Sequence, residues 1–562
     1  MKRQSWLMTL LATVLILAGC AGSVPSSTSG EGQTAVPTRS EPAVLRVGWP
    51  GSPDNLNPGM GELYEAYVIY SLVYDTIYEL GLDGKFRLNL AESMTTSDDG
   101  KVHTFKIRQG VKFSDGQPLT AHDVAFSLNL YKDHADFPFL NSYTQKFDSI
   151  SAPDETTVVL TLTAAIPNLD SQLLALYILP EHIWKDQSEG TKASEFQNLE
   201  MIGSGPFILK EYKQGEFVRV VVNKEHYKYK PQVDEIVFQT FGNEDALVQA
   251  LVTGQVDMIT RMPNTAVPVL KRTKNVEVVA KPGLSPQLRD VVFNQATPEN
   301  CPKEGGKCTG HPALRDRNVR LALAYATDKQ SIIDTAMLGL AKPGLTLVAS
   351  GQANWYNSQI KDYEFDIAKA NKILDDAGYK DTNGDGVREM PDGSQPLEFR
   401  LQWPNNIPEA PRVAELLGQT WSQIGVKTQP QSVDSAALVD LCCPAFDYDI
   451  MIWGWYWGPD PNDPLGVMSS AQIDGGGNET GYSNPEYDKL YEAQSVELDP
   501  VKRQEIVYKM QQMVFDDVVY IIPYYPDNVQ AYRADRFSGW PTDTPTIELG
   551  DVSVLTSLVP IQ

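Results

Sequence analysis

The chain runs to 562 residues, room for three or four domains of ordinary size or for fewer large ones. Hydrophobic residues make up 42% of it, enough for a sizeable core, which excludes disorder as the dominant state. With 47 Lys+Arg against 72 Asp+Glu the net charge is -25, and so acidic a surface repels phosphate backbones and argues against nucleic-acid binding.

Lys2 and Arg3 form a positive leader, and Trp6 to Gly19 is an apolar run broken only by Thr9 and Thr13. The run is shorter than the roughly 20 residues a transmembrane helix needs. It ends Leu17-Ala18-Gly19-Cys20, which resembles a bacterial lipobox. That resemblance implies a signal peptide over 1–19 and a diacylglycerol on Cys20 as the mature N-terminus; an ordinary secretory signal is the alternative. Residues 20–43 are rich in Ser, Thr, Gly and Pro and read as a flexible tether. The expected location is the outer face of the cytoplasmic membrane, a compartment that permits disulfides.

Beyond the tether, Leu45 to Trp49 alternates as a strand, and Glu62 to Tyr78 carries apolar residues near the helical period. His103 to Ile107 reads as a strand, Gln109 to Gln117 as a turn around Asp115-Gly116. Thr120 caps a helix with Asp123 at its third position. Strands follow at 157–163, 217–222 and 235–240, then a helix from Asn243 that Gly254 ends. Leu314 to Leu338 reads as one long amphipathic helical region ended by Gly339. Helices at 366–377, 408–424 and 501–515 alternate with strands at 397–402, 426–431, 449–453 and 519–525. Such alternation, with no repeat of 20–50 residues, predicts α/β lobes, each built on its own sheet.

Asp381 to Asp392, DTNGDGVREMPD, fits a calcium loop with Asp in place of the usual closing Glu. Asp381, Asn383 and Asp385 offer oxygens, Val387 a carbonyl, and Glu389 and Asp392 carboxylates, while Gly386 supplies the sharp turn. A strand-like segment follows instead of a helix, so a lone structural calcium site is expected; a solvated acidic turn is the alternative. Cys301 and Cys308 share a short Pro/Gly-rich loop that can close into a disulfide. Cys442 and Cys443 are adjacent, and either a vicinal disulfide or two thiols fits the sequence.

Enzyme signatures are missing from the sequence. Gly203-Ser204-Gly205 is no nucleophile elbow, there is neither a phosphate-binding Walker loop nor an HExxH pair, and the six His are scattered. No catalytic residue and no organic cofactor is expected. Asp447 to Pro464, DYDIMIWGWYWGPDPNDP, is the segment best suited to binding. A strand delivers Trp453, Trp455, Tyr456 and Trp457 to a Pro-rich turn holding Asp460 and Asp463; aromatics give rigid walls and a carboxylate meets a cation.

Several stretches together resemble the peptide/nickel (oligopeptide/dipeptide-binding) class of bacterial solute-binding proteins that serve ABC importers. They are TFKIRQGVKFSDGQPLTAHDVAFSL at 104–128, Leu56-Asn57-Pro58, GSGPF at 203–207, LVTGQVD at 251–257 and VRLALAYATDK at 319–329. The resemblance implies a type II periplasmic-binding-protein-like fold, a three-lobed flytrap. Lobe I would be discontinuous, over 44–83, 202–283 and 523–562; lobe II would be inserted at 84–201, and lobe III would cover 284–522. It also implies capture of short peptides and delivery to permease subunits by a monomer anchored only through Cys20. In the family an Asp-x-x-acid-Pro turn after Gly-Trp holds a peptide's α-ammonium, which places that role on Asp460, with a longer gap after Trp455 than the family shows. Oligosaccharides, for which Trp faces are suited, and, less so, nickel chelates are alternatives within the same fold. A secreted hydrolase and a signalling lipoprotein are alternatives of other classes.

Overall fold

The computed structural model describes residues 41–561 except 138–139, 283–286, 353, 542–546 and 548. The leader, Cys20 and nearly all of the expected tether lie outside the described residues.

Val44–Trp49 pairs in parallel with Glu235–Thr240 on one side and Met258–Ile259 on the other. It is one strand of a seven-stranded sheet assembled from distant parts of the chain. The order is Val276–Lys281, Asn528–Arg533, Met258–Ile259, Val44–Trp49, Glu235–Thr240, Phe217–Val222, Phe207–Lys213. Leu45, Val47 and Trp49 are buried. Between them Arg46 reaches the buried Asp257, whose carboxylate accepts from the Arg46 backbone N at 2.8 Å, Nε at 3.1 Å and Nη2 at 2.7 Å. The stretch at 251–257 therefore joins the first strand to the centre of the sheet. Gly254, at φ +76°, ends the helix Glu244–Thr253, a left-handed position that glycine takes without strain.

Ala91–Thr96, Val102–Ile107, Thr157–Leu162 and Phe147–Asp154 form an antiparallel four-stranded sheet in that order. The helix Ala121–Asp133 packs on it. Its N-terminus carries the capping box expected of Thr120 and Asp123, each side chain satisfying the other's backbone N–H.

The third sheet has six strands, Ala341–Pro343, Tyr520–Pro526, Gln287–Phe293, Ile450–Tyr456, Glu398–Pro404 and Lys427–Val433. Both of its faces are covered. Val291, Phe293, Ile450 and Ile452 join Leu323, Leu374 and Leu417 of three helices in one core. Leu288, Val292 and Met451 face the other way, with Leu438, Val507 and Met510. A strand buried on both faces reads as an apolar run rather than an alternation, as the Val291–Phe293 stretch does.

Two helical expectations change. The helix expected over 62–78 spans only Tyr64–Val73, and Tyr74 is extended. Gly203 and Gly205 press against its end: a Cβ on either would lie 2.0 or 2.7 Å from the Val73 carbonyl oxygen, and the Gly205 N–H donates to that oxygen at 2.8 Å. The region 314–338 is two helices, Arg317–Tyr325 and Lys329–Ala336, because Asp328 caps a new start by accepting from the Ser331 N–H at 2.9 Å. Among the described residues, no helix is long and apolar enough to cross a membrane.

Candidate ligand-binding site

A cavity of about 1230 Å³ opens between the helix Tyr64–Val73 with the chain just after it, the segment Asn168–Tyr177, the turn Gly458–Asp463, and the C-terminal stretch 550–553. Its size suits a ligand larger than a single amino acid. The helix contributes Tyr67 and Ser71, and the Ser71 hydroxyl lies 3.1 Å from that of Tyr177. Tyr70 stands edge-on to both Tyr67 and Tyr177, with ring centroids 5.7 and 5.6 Å away. Burial pushes the Tyr177 phenol up to about 12, so it stays a neutral hydrogen-bonding group.

Ending the helix at Val73 delivers Asp75 to the cavity wall. Its carboxylate accepts from the Ser204 hydroxyl at 2.8 Å and from Asn89 Nδ2 at 3.1 Å, and His226 Nε2 stands 3.6 Å away. The GSGPF stretch thus has a double purpose: its glycines allow close approach to the helix end, and its serine orients a cavity carboxylate.

The strand Ile450–Tyr456 carries the aromatic segment, and the turn beyond it lines the cavity from Gly458 to Asp460 and through Asn462 and Asp463. Asp460 is not an idle carboxylate. Arg503, on the helix Pro500–Asp516, donates Nη1 to Oδ2 at 2.6 Å and Nη2 to Oδ1 at 2.8 Å. Arg503 is buried, donates also to Gln494 Oε1, and lies over the Trp355 ring at 4.8 Å. Asp460 Oδ1 also accepts from the Asn462 N–H, which leaves Oδ2 the oxygen with room for a further donor. Asp463 reaches into the cavity. Although Asp463 is exposed to the cavity, desolvation by the surrounding walls raises its carboxyl, and the Asp460 charge raises it further.

Trp453, Trp455, Tyr456 and Trp457 are not among the residues lining this cavity. Trp455 and Trp457 stack on each other, centroids 4.8 Å apart and planes 13° off parallel, and Trp457 is buried. Trp455 Nε1 donates to Glu479 Oε1 at 2.8 Å. Tyr456 is 56% exposed, so it does not belong to a closed wall. Behind this layer, Glu479 and Asp290 are both buried carboxyls. Burial pushes Asp290 up to about 7 and raises Glu479 as well, the Asp290 charge adding to the effect. Neither acid, nor Arg503, carries a sequence signal: each becomes notable only through what the fold places beside it.

The acidic loop lies on a different part of the chain. Carboxylate oxygens of Asp381, Asp385 and Glu389 come within 4.8 Å of one another. Asp381 accepts from the Gly384 and Gly386 N–H groups at 2.6 and 2.9 Å, and Glu389 from Asn383 Nδ2 at 2.9 Å. Asp392 stands apart from the three and caps its own turn through the Ser394 N–H at 3.0 Å. The cause is the exit: bridges from Glu389 to Lys380 and Pro396 lead the chain out extended, not as the helix that brings a twelfth-position ligand back. Cys301 is bonded to Cys308 with Cα atoms 6.0 Å apart, and Cys442 is bonded to Cys443.

Compared with known proteins, residues 85–479 match the family described as bacterial extracellular solute-binding proteins, family 5 Middle. The chain belongs to that family. Among family 5 relatives, the oligopeptide-binding protein AppA of Bacillus subtilis (strain 168) is 27% identical over 543 residues, covering 94% of this chain and 95% of its own. A dipeptide-binding protein of Pseudomonas aeruginosa is 29% identical over 464 residues, covering 77% and 80%. Among solved structures, the ABC transporter substrate binding protein CtaP of Listeria monocytogenes superposes with a TM-score of 0.78 at 27% identity, covering 93% of this chain and 100% of that one. The B. subtilis AppA in complex with a nonapeptide gives 0.72 at 25% identity, over 93% and 100%. The fold is the three-lobed, periplasmic-binding-protein-like one with a discontinuous first lobe, and family 5 proteins are solute-binding proteins, not enzymes.

Proposed function

We propose that this family 5 protein captures short peptides in the cavity and delivers them to the permease subunits of an ABC importer. The observation that carries the reading is the turn from Asp460 to Asp463, two carboxylates of an Asp-x-x-Asp-Pro sequence facing a cavity of about 1230 Å³. The relatives' names, oligopeptide-binding and dipeptide-binding, support the ligand class. A peptide's α-ammonium meets Asp460 through its less occupied Oδ2, with Asp463 beside it, while Arg503 holds Asp460 in place. The strand from Trp453 through Trp457 is the rigid backing of that turn. The sugar reading loses support, because one face of Trp455 is covered by Trp457 and none of these rings lines the cavity.

A lipid on Cys20 tethers a monomeric body to the outer face of the membrane. Calcium is a structural cofactor of the loop around Asp381, Asn383, Asp385 and Glu389: the oxygens suit a hard cation, and among the described residues no Lys or Arg forms an ion pair with these carboxylates.

Calorimetry with free and N-acetylated versions of one peptide tests the binding reading. Acetylation removes the charge that the turn receives. Losing one partner of a desolvated charge pair costs about 2–5 kcal/mol, so affinity should fall at least about thirtyfold. Equal affinities for the two forms, or binding of oligosaccharides and of no peptide, would overturn it.

A further inference from the structure

All six strands of the third sheet fall between Gln287 and Pro526, so the chain enters the body built on it once and leaves it once. Entry and exit lie together: Lys281, which ends the strand before that body, is the register partner of Asn528, which begins the strand after it. Two bodies tied along one edge swing about that edge, and a contact between them elsewhere forms only as they close. One such contact stands outside the cavity. The hairpin turn Ser97–Gly100, between the strands Ala91–Thr96 and Val102–Ile107, meets Leu498, in the loop between the helices Pro485–Gln494 and Pro500–Asp516. A Cβ on Gly100 would lie 2.5 Å from Leu498 Cδ1 and 3.3 Å from the Ala165 Cβ, so the place of the missing side chain is the notch that Leu498 fills. Neither Gly100 nor Leu498 is among the residues lining the cavity.

Both sides of the contact are held in place. In the turn, Ser97 Oγ donates to Asp99 Oδ1 at 2.5 Å and accepts from the Val102 N–H at 2.9 Å, and the Gly100 N–H donates to the Ser97 carbonyl at 2.9 Å. Gly100 itself has φ +69°, a left-handed position that glycine takes without strain. On the other side, Asp499 caps the helix Pro500–Asp516, accepting from the N–H groups of Val501 and Lys502 at 2.9 and 3.3 Å. The same helix carries Arg503, which grips Asp460, so the seat of Leu498 and the turn that lines the cavity belong to one rigid piece. Leu498 is 48% exposed, so it adds little to the core of its own body; the water that it sheds at Gly100 is shed on closure.

We propose that Leu498 in the notch at Gly100 is a latch outside the cavity: a positioning residue that favours the closed arrangement and so tightens the binding of every ligand by the same factor. A ligand that binds the closed form has its apparent affinity scaled by the fraction of protein that is closed, whatever contacts the ligand itself makes. The inference rests on the cavity as the binding site, and it takes peptides as its probes on the reading given above.

Two pentapeptides, Ala-Ala-Ala-Ala-Ala and Ala-Ala-Phe-Ala-Ala, titrated calorimetrically into the full protein at low salt, test it. Leu498→Ala should weaken both by one common factor, about fivefold, and leave the Tm of the ligand-free protein unchanged. Leu498→Glu sets a charge against Asp98 and Asp99 of the turn and should weaken both at least about tenfold. Leu498→Lys should bring both back to within about twofold of wild type, and added salt should erase the difference between the Glu and Lys variants. Unchanged affinity in Leu498→Ala, or equal affinities in the Glu and Lys variants, would overturn the latch while peptide capture stands. A loss confined to one of the peptides would make Leu498 a ligand contact and overturn the latch as well. If neither peptide binds the wild type, the peptide reading fails by itself, and small-angle scattering of the ligand-free variants decides the latch: a larger radius of gyration for Leu498→Glu than for Leu498→Lys supports it, and equal radii overturn it.

Discussion

Arg503 grips Asp460 through both carboxylate oxygens, at 2.6 and 2.8 Å, from the buried side of the turn that lines the cavity. The family position expected to meet a ligand's ammonium is thus already half of an internal ion pair. The guanidinium orients the acid and takes up much of its charge, and Asp463 stands beside it without such a partner among the described residues.

The pair predicts an asymmetry in stability. Asp460→Ala leaves a buried guanidinium alone, which typically costs about 3–5 kcal/mol. Arg503→Met combined with Asp460→Ala removes both charges and should recover much of the loss. Denaturant unfolding of the ligand-free protein measures both. An Asp460→Ala variant as stable as wild type would show that the ion pair is not what holds the turn.

The buried acids behind Trp455 predict a pH dependence. Asp290 has its folded pKa at about 7, far above the unfolded value of about 3.9. Between those values the native state keeps a proton that the unfolded chain has released. Stability from this group is therefore complete below about pH 4 and is lost as pH rises through about 7. Glu479, also raised, acts with the same sign. Asp290→Asn should reduce the fall in Tm between pH 5 and pH 7.5. Equal falls in the two proteins would exclude Asp290 as the source.

Calcium, if it occupies the loop at Asp381, Asp385 and Glu389, stabilises the native state by RT ln(1 + [L]/Kd), about 2.7 kcal/mol at a hundredfold excess. A chelator should then lower Tm, and Asp385→Ala should abolish the sensitivity. Asp392→Asn should leave it nearly intact, because Asp392 stands outside the cluster. Thermal melts that ignore the chelator would refute the site.

Cys20→Ser should release the body from membranes or leave an uncleaved precursor. Fractionation together with the mass of the mature chain reads this directly; an unchanged membrane-bound product would rule out the lipid at Cys20.

Local signals in the sequence were enough for the elements whose ends are chemically marked. Thr120 with Asp123 and Asn243 with Gly254 stand where the helix termini lie, because a cap needs only its own neighbours. The strands 217–222 and 235–240 were legible from their β-branched and aromatic residues. Strands such as Ala91–Thr96, with one buried residue, and Asn528–Arg533, buried through its middle, were missed because neither alternates clearly. The helix end at Val73 was missed for another reason: glycines some 130 residues away decide it.

The sequence by itself determined the family, the turn bearing Asp460 and Asp463 and the acidic loop, because each is a short run of residues whose chemistry is local; which acids of the loop converge, with Asp392 left out, came from the fold. Only the tertiary structure decided what those groups face. Arg503, distant in sequence and unremarkable within an amphipathic helix, pairs Asp460. Asp551, the cap of the helix Val552–Ser557, stands at the cavity wall with one carboxylate oxygen buried behind it. Asp290 and Glu479 turn into a buried acid pair only when two separate segments meet behind Trp455. Charge compensation and desolvation depend on distance in space, and folding sets those distances between residues that the chain keeps far apart.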